Sequence, residues 1–147
     1  MKNIYDITII GGLGHVGLPL GITFADCNLK VCLFDINERN FEIVKNGNLP
    51  FTEYNAKHKL KRTLKNKNLN LSKNPETISK SKFVIISIGT PVDQYSNPKI
   101  NLFLNIIKKY KKYFNKNQII IIRSSIYPNI GNHIKNILGN KINWHIS

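Results

Sequence analysis

A glycine-rich turn directly after an apolar segment is the part of this sequence best suited to bind a ligand. Gly12, Gly14 and Gly17 lie between an apolar run at residues 7–10 and an apolar-periodic segment at residues 16–27. The order of strand, glycine turn and helix is typical of dinucleotide sites. There the first glycine permits a tight turn, the second lets the backbone approach a pyrophosphate, and the third lets the helix pack closely. The helix N-terminus offers N–H groups and a positive dipole end to the phosphates.

A second apolar run, residues 31–34, ends in Asp35. An acidic residue about 20 positions past such glycines accepts hydrogen bonds from the hydroxyls of the adenosine ribose. Its charge would repel a 2′-phosphate, so the sequence predicts binding of NAD in preference to NADP. The alternative, a glycine turn followed by a chance aspartate, is disfavoured because the two features occur in the required order.

Two further loops carry hydroxyl groups. Gly89-Thr90-Pro91 follows a predicted strand at residues 83–88, and the segment RSSIYP (123–128) follows a predicted strand at residues 118–123. Ligands bind at the carboxyl ends of strands in open parallel sheets, so these hydroxyls could reach a bound dinucleotide. Gly, Thr, Ser and Pro are also ordinary turn residues, and the pattern alone leaves both interpretations open.

Short apolar strands alternate with helices along the chain, which favours an α/β fold. Strands are predicted at residues 6–10, 30–34, 68–71, 83–88, 118–123 and 142–146. Helices are predicted at residues 16–27, 37–46, 54–66, 102–114 and 130–138, with a helical turn at residues 75–79. This alternation predicts a Rossmann-type, doubly wound parallel sheet of about six strands. The 147 residues suit one domain. The chain stops inside its sixth predicted strand, so we expect it to be the first part of something longer.

The composition is strongly basic, with 22 Lys plus Arg against 8 Asp plus Glu and a formal charge of +14. Much of this charge lies in residues 57–67 and 108–116. In the second segment the apolar side chains fall at helical spacing and the lysines lie mostly off that stripe, which indicates an amphipathic helix with a solvated lysine face. We therefore predict no specific nucleic-acid partner, and the aromatic residues of this helix belong to the core. The stripe consists of Phe103, Ile106, Ile107, Tyr110 and Phe114.

Cys27 and Cys32 form no metal or redox motif, and we expect both to be buried, reduced thiols in a cytoplasmic protein. The four histidines show no ligand spacing, so no metal site is predicted. The sequence shows no signal peptide, and no apolar run approaches the roughly 20 residues of a membrane span, so no membrane partner is expected.

Taken together and in order, these motifs resemble the NAD-binding domain of the UDP-glucose/GDP-mannose dehydrogenase family, from residue 9 to about residue 138. The form with His15, Pro91-Val92-Asp93 and Tyr127-Pro128 is most similar to a branch described as UDP-N-acetylmannosamine dehydrogenase-like. The segments that carry the resemblance are GGLGHVGLPL (11–20), FDIN (34–37), NGNLPFTEY (46–54), GTPVD (89–93) with NP (97–98), and RSSIYP (123–128).

The resemblance implies a role for several residues. Backbone groups of His15 and Val16 would contact the pyrophosphate, Asp35 would hold the adenosine ribose, and Thr90 and Ser125 would contact the cofactor near its nicotinamide half. Family members often carry a basic residue five positions after the acidic one. This chain has Asn40 at that position, and its basic residue Arg39 comes one position earlier. They also read Gly-Thr-Thr where Asn129-Ile130-Gly131 stands. The contact on the adenine side and the start of the last helix therefore remain open.

The resemblance also implies an activity for a longer enzyme. The family oxidises a sugar alcohol to a carboxylate in two NAD-dependent steps through a thiohemiacetal. That chemistry needs a cysteine, a lysine, an asparagine and a Pro-Glu-Arg glutamate, all placed later than these 147 residues. We therefore expect residues 1–147 to be the NAD-binding domain of a nucleotide-sugar 6-dehydrogenase, of UDP-N-acetylmannosamine or UDP-glucose type, in polysaccharide synthesis. The expected substrate is a UDP-sugar.

We expect this truncated chain to hold no catalytic residue, to be inactive alone and to form a homo-oligomer only when full length. The alternative is a free-standing, NAD-sensing Rossmann regulatory module, such as those of potassium transport. Such modules share the glycines and the acidic residue but have no reason to carry Thr90-Pro91 or residues 123–128.

Overall fold

The computed structural model describes residues 4–89, 94, 100–125 and 130–147, and these residues form a single sheet flanked by helices. The strands are β1 (Tyr5–Ile10), β2 (Val31–Phe34), β3 (Leu69–Ser72), β4 (Ser81–Ile86), β5 (Ile119–Ile122) and β6 (Asn143–Ile146). The helices are α1 (Gly17–Asp26), α2 (Glu38–Lys45), α3 (Ala56–Lys65), α4 (Ile100–Tyr110) and α5 (Ile130–Leu138). Two 3₁₀ segments, Pro75–Lys80 and Lys111–Tyr113, complete the described secondary structure.

The sheet is parallel throughout, with the strand order β3-β2-β1-β4-β5-β6. This is the doubly wound order of Rossmann domains, and it confirms the predicted fold class. The chain moves outward in one direction from β1 to β3 and in the other from β4 to β6. The loops that follow β1 and β4 therefore diverge at the carboxyl edge of the sheet, which leaves a crevice there.

Both faces of the sheet are covered, which explains why its central strands read as nearly continuous apolar runs. Neighbouring residues of β1 divide between the two faces, since Ile9 belongs to one core cluster and Ile10 to the other. One core lies under α1, α2 and α3 and includes Leu18, Ile22, Val44 and Leu60. The other lies under α4 and α5 and includes Phe103, Ile107, Tyr110, Ile130, Ile134 and Leu138.

Several boundaries of strands and helices in the structure differ from the boundaries predicted from sequence. β4 begins at Ser81 because Ser81 already pairs with Tyr5 of β1, and it ends at Ile86 rather than at residue 88. α3 begins at Ala56 instead of residue 54, because Asn55 has a left-handed φ of +56° that no helical residue adopts. The helix predicted at residues 102–114 is α-helical to Tyr110 and then tightens into a 3₁₀ turn.

The aromatic residues of α4 and the turn after it lie in the core, as the sequence predicted. Phe103, Tyr110 and Phe114 are all buried, whereas Lys108 and Lys112 on the same segment are exposed. Within the described ranges of the chain, no helix combines the length and the apolar character needed to cross a membrane.

The two cysteines differ, and the prediction of two buried thiols was wrong for one of them. Cys32 is buried in the middle of β2, and burial raises the pKa of its thiol to about 11, partly offset by the hydroxyl groups of Thr77 and Thr8. Cys27 is exposed because it directly follows the last residue of α1. Helix α1 runs back from the carboxyl edge of the sheet, so Cys27 lies at the edge opposite the glycine turn.

Candidate dinucleotide-binding site

The turn after β1 is held against the ends of both neighbouring strands. The N–H groups of Gly11 and Gly12 donate to the carbonyl oxygen of Phe34, at 3.0 and 3.2 Å. Gly11 has a left-handed φ of +77°, and a Cβ there would lie 2.5 Å from the carbonyl oxygen of Ser87. Only glycine fits this position. The prediction from sequence did not include Gly11 among the site residues, although the Gly11-Gly12 pair was a signal for it.

Gly12 and Gly17 are glycines for reasons of packing inside the chain. A Cβ on Gly12 would lie 2.8 Å from the Cβ of Leu33, and a Cβ on Gly17 would overlap the carbonyl oxygen of Gly11. Both residues are buried. They let β1, β2 and α1 approach closely, as the glycine spacing predicted.

Gly14 differs from these glycines. Among the described residues, the carbonyl oxygen of Gly11, at 3.4 Å, is the one atom within 4 Å of a Cβ built on Gly14. Gly14 also lies outside the left-handed region of φ. The chain's own packing would therefore accept alanine there, and the missing side chain instead leaves open space in front of the turn. An approaching pyrophosphate needs this space.

The N-terminus of α1 faces the same space. Val16 occupies the N-cap and has no side-chain acceptor, and the first turn contains no acidic residue. No carboxylate in the first turn of α1 therefore neutralises the positive end of the helix dipole, which favours the binding of an anion there. His15 and Val16 are both exposed at this end of the helix.

An aromatic pair supports the turn from the side. The His15 ring stacks on the Phe51 ring, with 4.1 Å between the ring centroids and 26° between the planes. Phe51 belongs to the segment between α2 and α3 and packs on the core under α1. This contact joins that segment to the glycine turn.

Asp35 lies at the carboxyl end of β2 and is oriented by two backbone donors. The Leu13 N–H donates to Oδ2 at 2.9 Å, and the Asn37 N–H donates to Oδ1 at 3.0 Å. Each carboxylate oxygen can accept more than one hydrogen bond, so both keep capacity for ligand hydroxyls. Asp35 is half-buried. The glycine turn and the acidic residue predicted from sequence thus form one hydrogen-bonded unit.

Asn40, at the position where the resemblance implies a basic residue, turns toward the glycine turn. Its side-chain Nδ2 donates to the Leu13 carbonyl oxygen at 3.1 Å. Leu13 is therefore held on both sides, through its N–H by Asp35 and through its carbonyl by Asn40. Asn40 acts here as a brace for the turn.

A small cavity of about 140 Å³ opens beside Asp35. Sites that take a whole drug-sized ligand usually measure roughly 300–1,000 Å³, so this volume suits one ring system of a larger ligand. Ile36 lines the cavity and is 67% exposed, so it offers apolar surface there that a ligand could cover. The full lining consists of Ile10, Gly11, Phe34, Asp35, Ile36, Ile88, Ile106, Lys109 and Tyr110.

The loops after β4 and β5 are tied to each other by a serine that the sequence prediction missed. The Oγ of the buried Ser124 accepts from the Ile88 N–H at 3.0 Å and donates to the Ile86 carbonyl oxygen at 3.4 Å. The adjacent Ser125, which was predicted as a site residue, is exposed just past the carboxyl end of β5. The only sequence signal for Ser124 was the Ser-Ser pair.

Some predicted positions lie outside the described residues. They are Thr90, the segment Pro91-Val92-Asp93 and the pair Tyr127-Pro128, among others. The described parts of the chain hold no group of three or more His, Cys, Asp or Glu side chains that could bind a metal ion.

The sheet order and the glycine turn with its partner Asp35 define a Rossmann-type dinucleotide-binding domain. The model of the UDP-glucose/GDP-mannose dehydrogenase family, NAD-binding domain, matches residues 5–146. The chain belongs to this family and is its NAD-binding domain. The family match gives no support to the alternative of a free-standing regulatory module.

Three relatives illustrate the similarity. Protein CapL of Staphylococcus aureus is 35% identical over 117 residues, which cover 80% of this chain and 26% of CapL. The UDP-N-acetyl-D-mannosamine dehydrogenase of Methanococcus vannielii is 28% identical over 145 residues, covering 96% of this chain and 33% of that protein. The structure of the UDP-N-acetyl-mannosamine dehydrogenase Cap5O of S. aureus superposes with a TM-score of 0.82 and 27% identity, covering 95% of this chain and 35% of Cap5O. The chain thus spans about a third or less of the length of these relatives.

Proposed function

We propose that the chain supplies the cofactor site of an NAD-dependent nucleotide-sugar dehydrogenase, with residues 1–147 acting as one NAD-binding domain. The pyrophosphate of NAD would lie against the glycine turn at Gly12 and Gly14, near the N–H groups of His15 and Val16. The buried Gly17 would keep the positive end of α1 close to this point. NAD bound there would supply the hydride acceptor of the reaction.

The observation that carries the proposal is the open space in front of Gly14. A Cβ at this residue meets little in the chain, as described above, and unlike the equally open Gly131 this glycine lies in the turn between β1 and α1, where a ligand approaching the backbone would explain it. The uncapped α1 N-terminus beside it favours an anionic ligand. Together they fit the diphosphate of a dinucleotide.

The adenosine half would extend from this turn toward β2. Asp35 would accept hydrogen bonds from the ribose hydroxyls, since both of its oxygens are already oriented by backbone N–H groups. The cavity beside Asp35 would then receive the adenine base, and the base would cover the exposed Ile36. The burial of this apolar surface would contribute to affinity.

The nicotinamide half would extend in the opposite direction, toward the ends of β4 and β5. Thr90 and Ser125 are the hydroxyl-bearing residues that we propose to contact it. The bond between Ser124 and Ile88 supports this proposal, because it keeps the two loops adjacent.

The substrate that we propose is a UDP-sugar, of the UDP-N-acetylmannosamine or UDP-glucose type, oxidised at an alcohol to the uronic acid for polysaccharide synthesis. Two of the three relatives named above are UDP-N-acetylmannosamine dehydrogenases, and similarity extends to the UDP-glucose 6-dehydrogenase TuaD of Bacillus subtilis. We further propose that the enzyme is cytoplasmic, has no membrane partner, and forms a homo-oligomer when it carries the further domains of its relatives.

Alanine substitution at Gly14 tests the proposed cofactor site. We expect Gly14→Ala to keep the melting temperature of the unaltered chain and to weaken NAD binding at least tenfold, measured by isothermal titration calorimetry. The matched control is Gly131→Ala in α5, where a Cβ would make only ordinary contacts at 3.8 and 3.9 Å. An unaltered chain that does not bind NAD, or a Gly14→Ala variant that binds it equally well, would contradict the proposal.

A further inference from the structure

The cavity beside Asp35 has one cationic wall, which comes from α4. Lys109 lines this cavity together with Ile106 and Tyr110. The Lys109 Nζ lies 5.4 Å from the centroid of the Tyr110 ring, so the ammonium group is directed over an aromatic surface at the cavity. The neighbouring Lys108 is directed elsewhere and lines a groove with Leu104, Lys111 and His133.

The segment after β2 brings an acid and an apolar residue to the cavity but no cation. Asn40 is engaged with the Leu13 carbonyl oxygen, as described above. Arg39 is exposed and is absent from the described residues that line the cavity. Among the described residues that line the cavity, the one cation is therefore Lys109, which belongs to a different element of the fold.

We propose that Lys109 is the basic residue that contacts the adenine base of the bound dinucleotide. This inference rests on the proposed function, because it concerns the same site. The flat base would enter between the apolar side chains of Ile36 and Ile106, with the Lys109 ammonium at its rim. A lysine ammonium is attracted to the face of an aromatic ring, and it can also donate a hydrogen bond to a ring nitrogen.

The charges around the cavity are arranged for this contact. Asp35 and Lys109 line the same space, and these two described residues form no ion pair with each other. A bound adenosine can therefore place its ribose hydroxyls at the carboxylate and its base at the ammonium without displacing an existing salt bridge.

The two adjacent lysines provide a matched test. We expect Lys109→Ala to weaken binding of NAD and of ADP roughly 3- to 30-fold, the range for a cation–π contact at exposed to desolvated sites. Lys108→Ala removes the same charge from the same helix and should change both affinities less than twofold. Lys109→Arg should restore most of the affinity. Inorganic pyrophosphate, which lacks the base, should bind equally to the two alanine variants.

The possible outcomes separate this inference from the proposed function. If the unaltered chain binds NAD but Lys109→Ala and Lys108→Ala weaken it equally, Lys109 has no specific role and this inference alone is overturned. If Lys109→Ala weakens the binding of pyrophosphate as much as the binding of ADP, the lysine acts by general electrostatic attraction of anions. The inference is then again overturned. A chain that binds no NAD would overturn both proposals.

Discussion

The glycines of the turn illustrate how residues of one type are required for different physical reasons. Gly11 has a left-handed backbone conformation that favours glycine, and Gly17 lies too close to the backbone of Gly11 to carry a Cβ. Gly14 has neither constraint within the described structure. Gly131 is equally open, so it is the position of Gly14 in the turn before the uncapped N-terminus of α1 that points to a ligand.

We expect Asp35 to determine the preference between the two nicotinamide cofactors. We expect the unaltered chain to bind NAD more tightly than NADP, because the carboxylate accepts from the ribose hydroxyls and repels a 2′-phosphate. Asp35→Ala should weaken NAD binding roughly 10- to 100-fold, as expected for the loss of hydrogen bonds to a charged group, and should abolish the preference. Titration of both cofactors into both proteins measures this.

The control for Asp35 is Glu42→Ala, which removes an exposed negative charge from α2 and should leave both affinities unchanged. The melting temperature of each variant checks that the turn survives, since Asp35 also accepts from Leu13. Equal affinities of the unaltered chain for NAD and NADP would contradict the role that we assign to Asp35 in cofactor preference.

Among the elements, α1 links the glycine turn to the rest of the domain. Its first residue packs on the turn, and near its other end Asp26 forms ion pairs with Arg62 and Lys59 of α3. The hydrogen bond from Arg62 holds the pKa of Asp26 below its ordinary value. The helix whose N-terminus we propose to face the cofactor phosphates is therefore held at both ends.

The close approach of α1 to the turn predicts a stability effect. Gly17→Ala should lower the free energy of unfolding by about 1–3 kcal/mol, because its Cβ would overlap the Gly11 carbonyl oxygen and the helix would have to shift. Urea denaturation followed by circular dichroism measures the change. Gly14→Ala, made on the same turn, should stay within about 0.5 kcal/mol of the unaltered chain. If the two variants proved equally stable, the described approach of α1 would be incorrect.

For the whole molecule, the net charge of +14 predicts general rather than specific attraction of anions. Binding to DNA should be weak, independent of sequence, and should fall steeply as salt increases, because it would rest on phosphate contacts. Fluorescence anisotropy with two unrelated duplexes at several salt concentrations measures this. A sequence-selective complex that persists at high salt would show that the basic surface has a nucleic-acid role.

The isolated 147-residue chain should bind NAD without turning over a nucleotide sugar. Hydride transfer requires the reacting carbon within about 3–3.5 Å of the nicotinamide in a fixed orientation, which a crevice bounded by one domain does not enforce. Neither cysteine can trap an aldehyde at the crevice, since Cys32 is buried in β2 and Cys27 lies at the opposite edge. Incubation with NAD and UDP-N-acetylmannosamine or UDP-glucose, followed by NADH absorbance, tests this. Many turnovers per chain would locate the active site within these residues.

The sequence by itself determined the class of fold and the main parts of the candidate site. Residues 130–138 were predicted as a helix and form α5, because the apolar spacing that specifies a helix is local. The alternation of strands and helices permits few arrangements other than a doubly wound parallel sheet. The glycines and Asp35 were also found from sequence, since their spacing follows from the strand, turn and helix that they join.

Only the tertiary structure decided which partner each polar side chain meets. Asn40 bonds to the Leu13 carbonyl oxygen, which lies 27 positions earlier in the chain. Ser124 bonds to the Ile88 N–H in the loop after β4, which lies 36 positions earlier. Lys108 and Lys109 are indistinguishable in a solvated lysine face, yet only Lys109 lines the cavity with Asp35. Periodicity specifies which face of an element is buried, whereas hydrogen bonds and cavities depend on neighbours that come together only when the sheet is assembled.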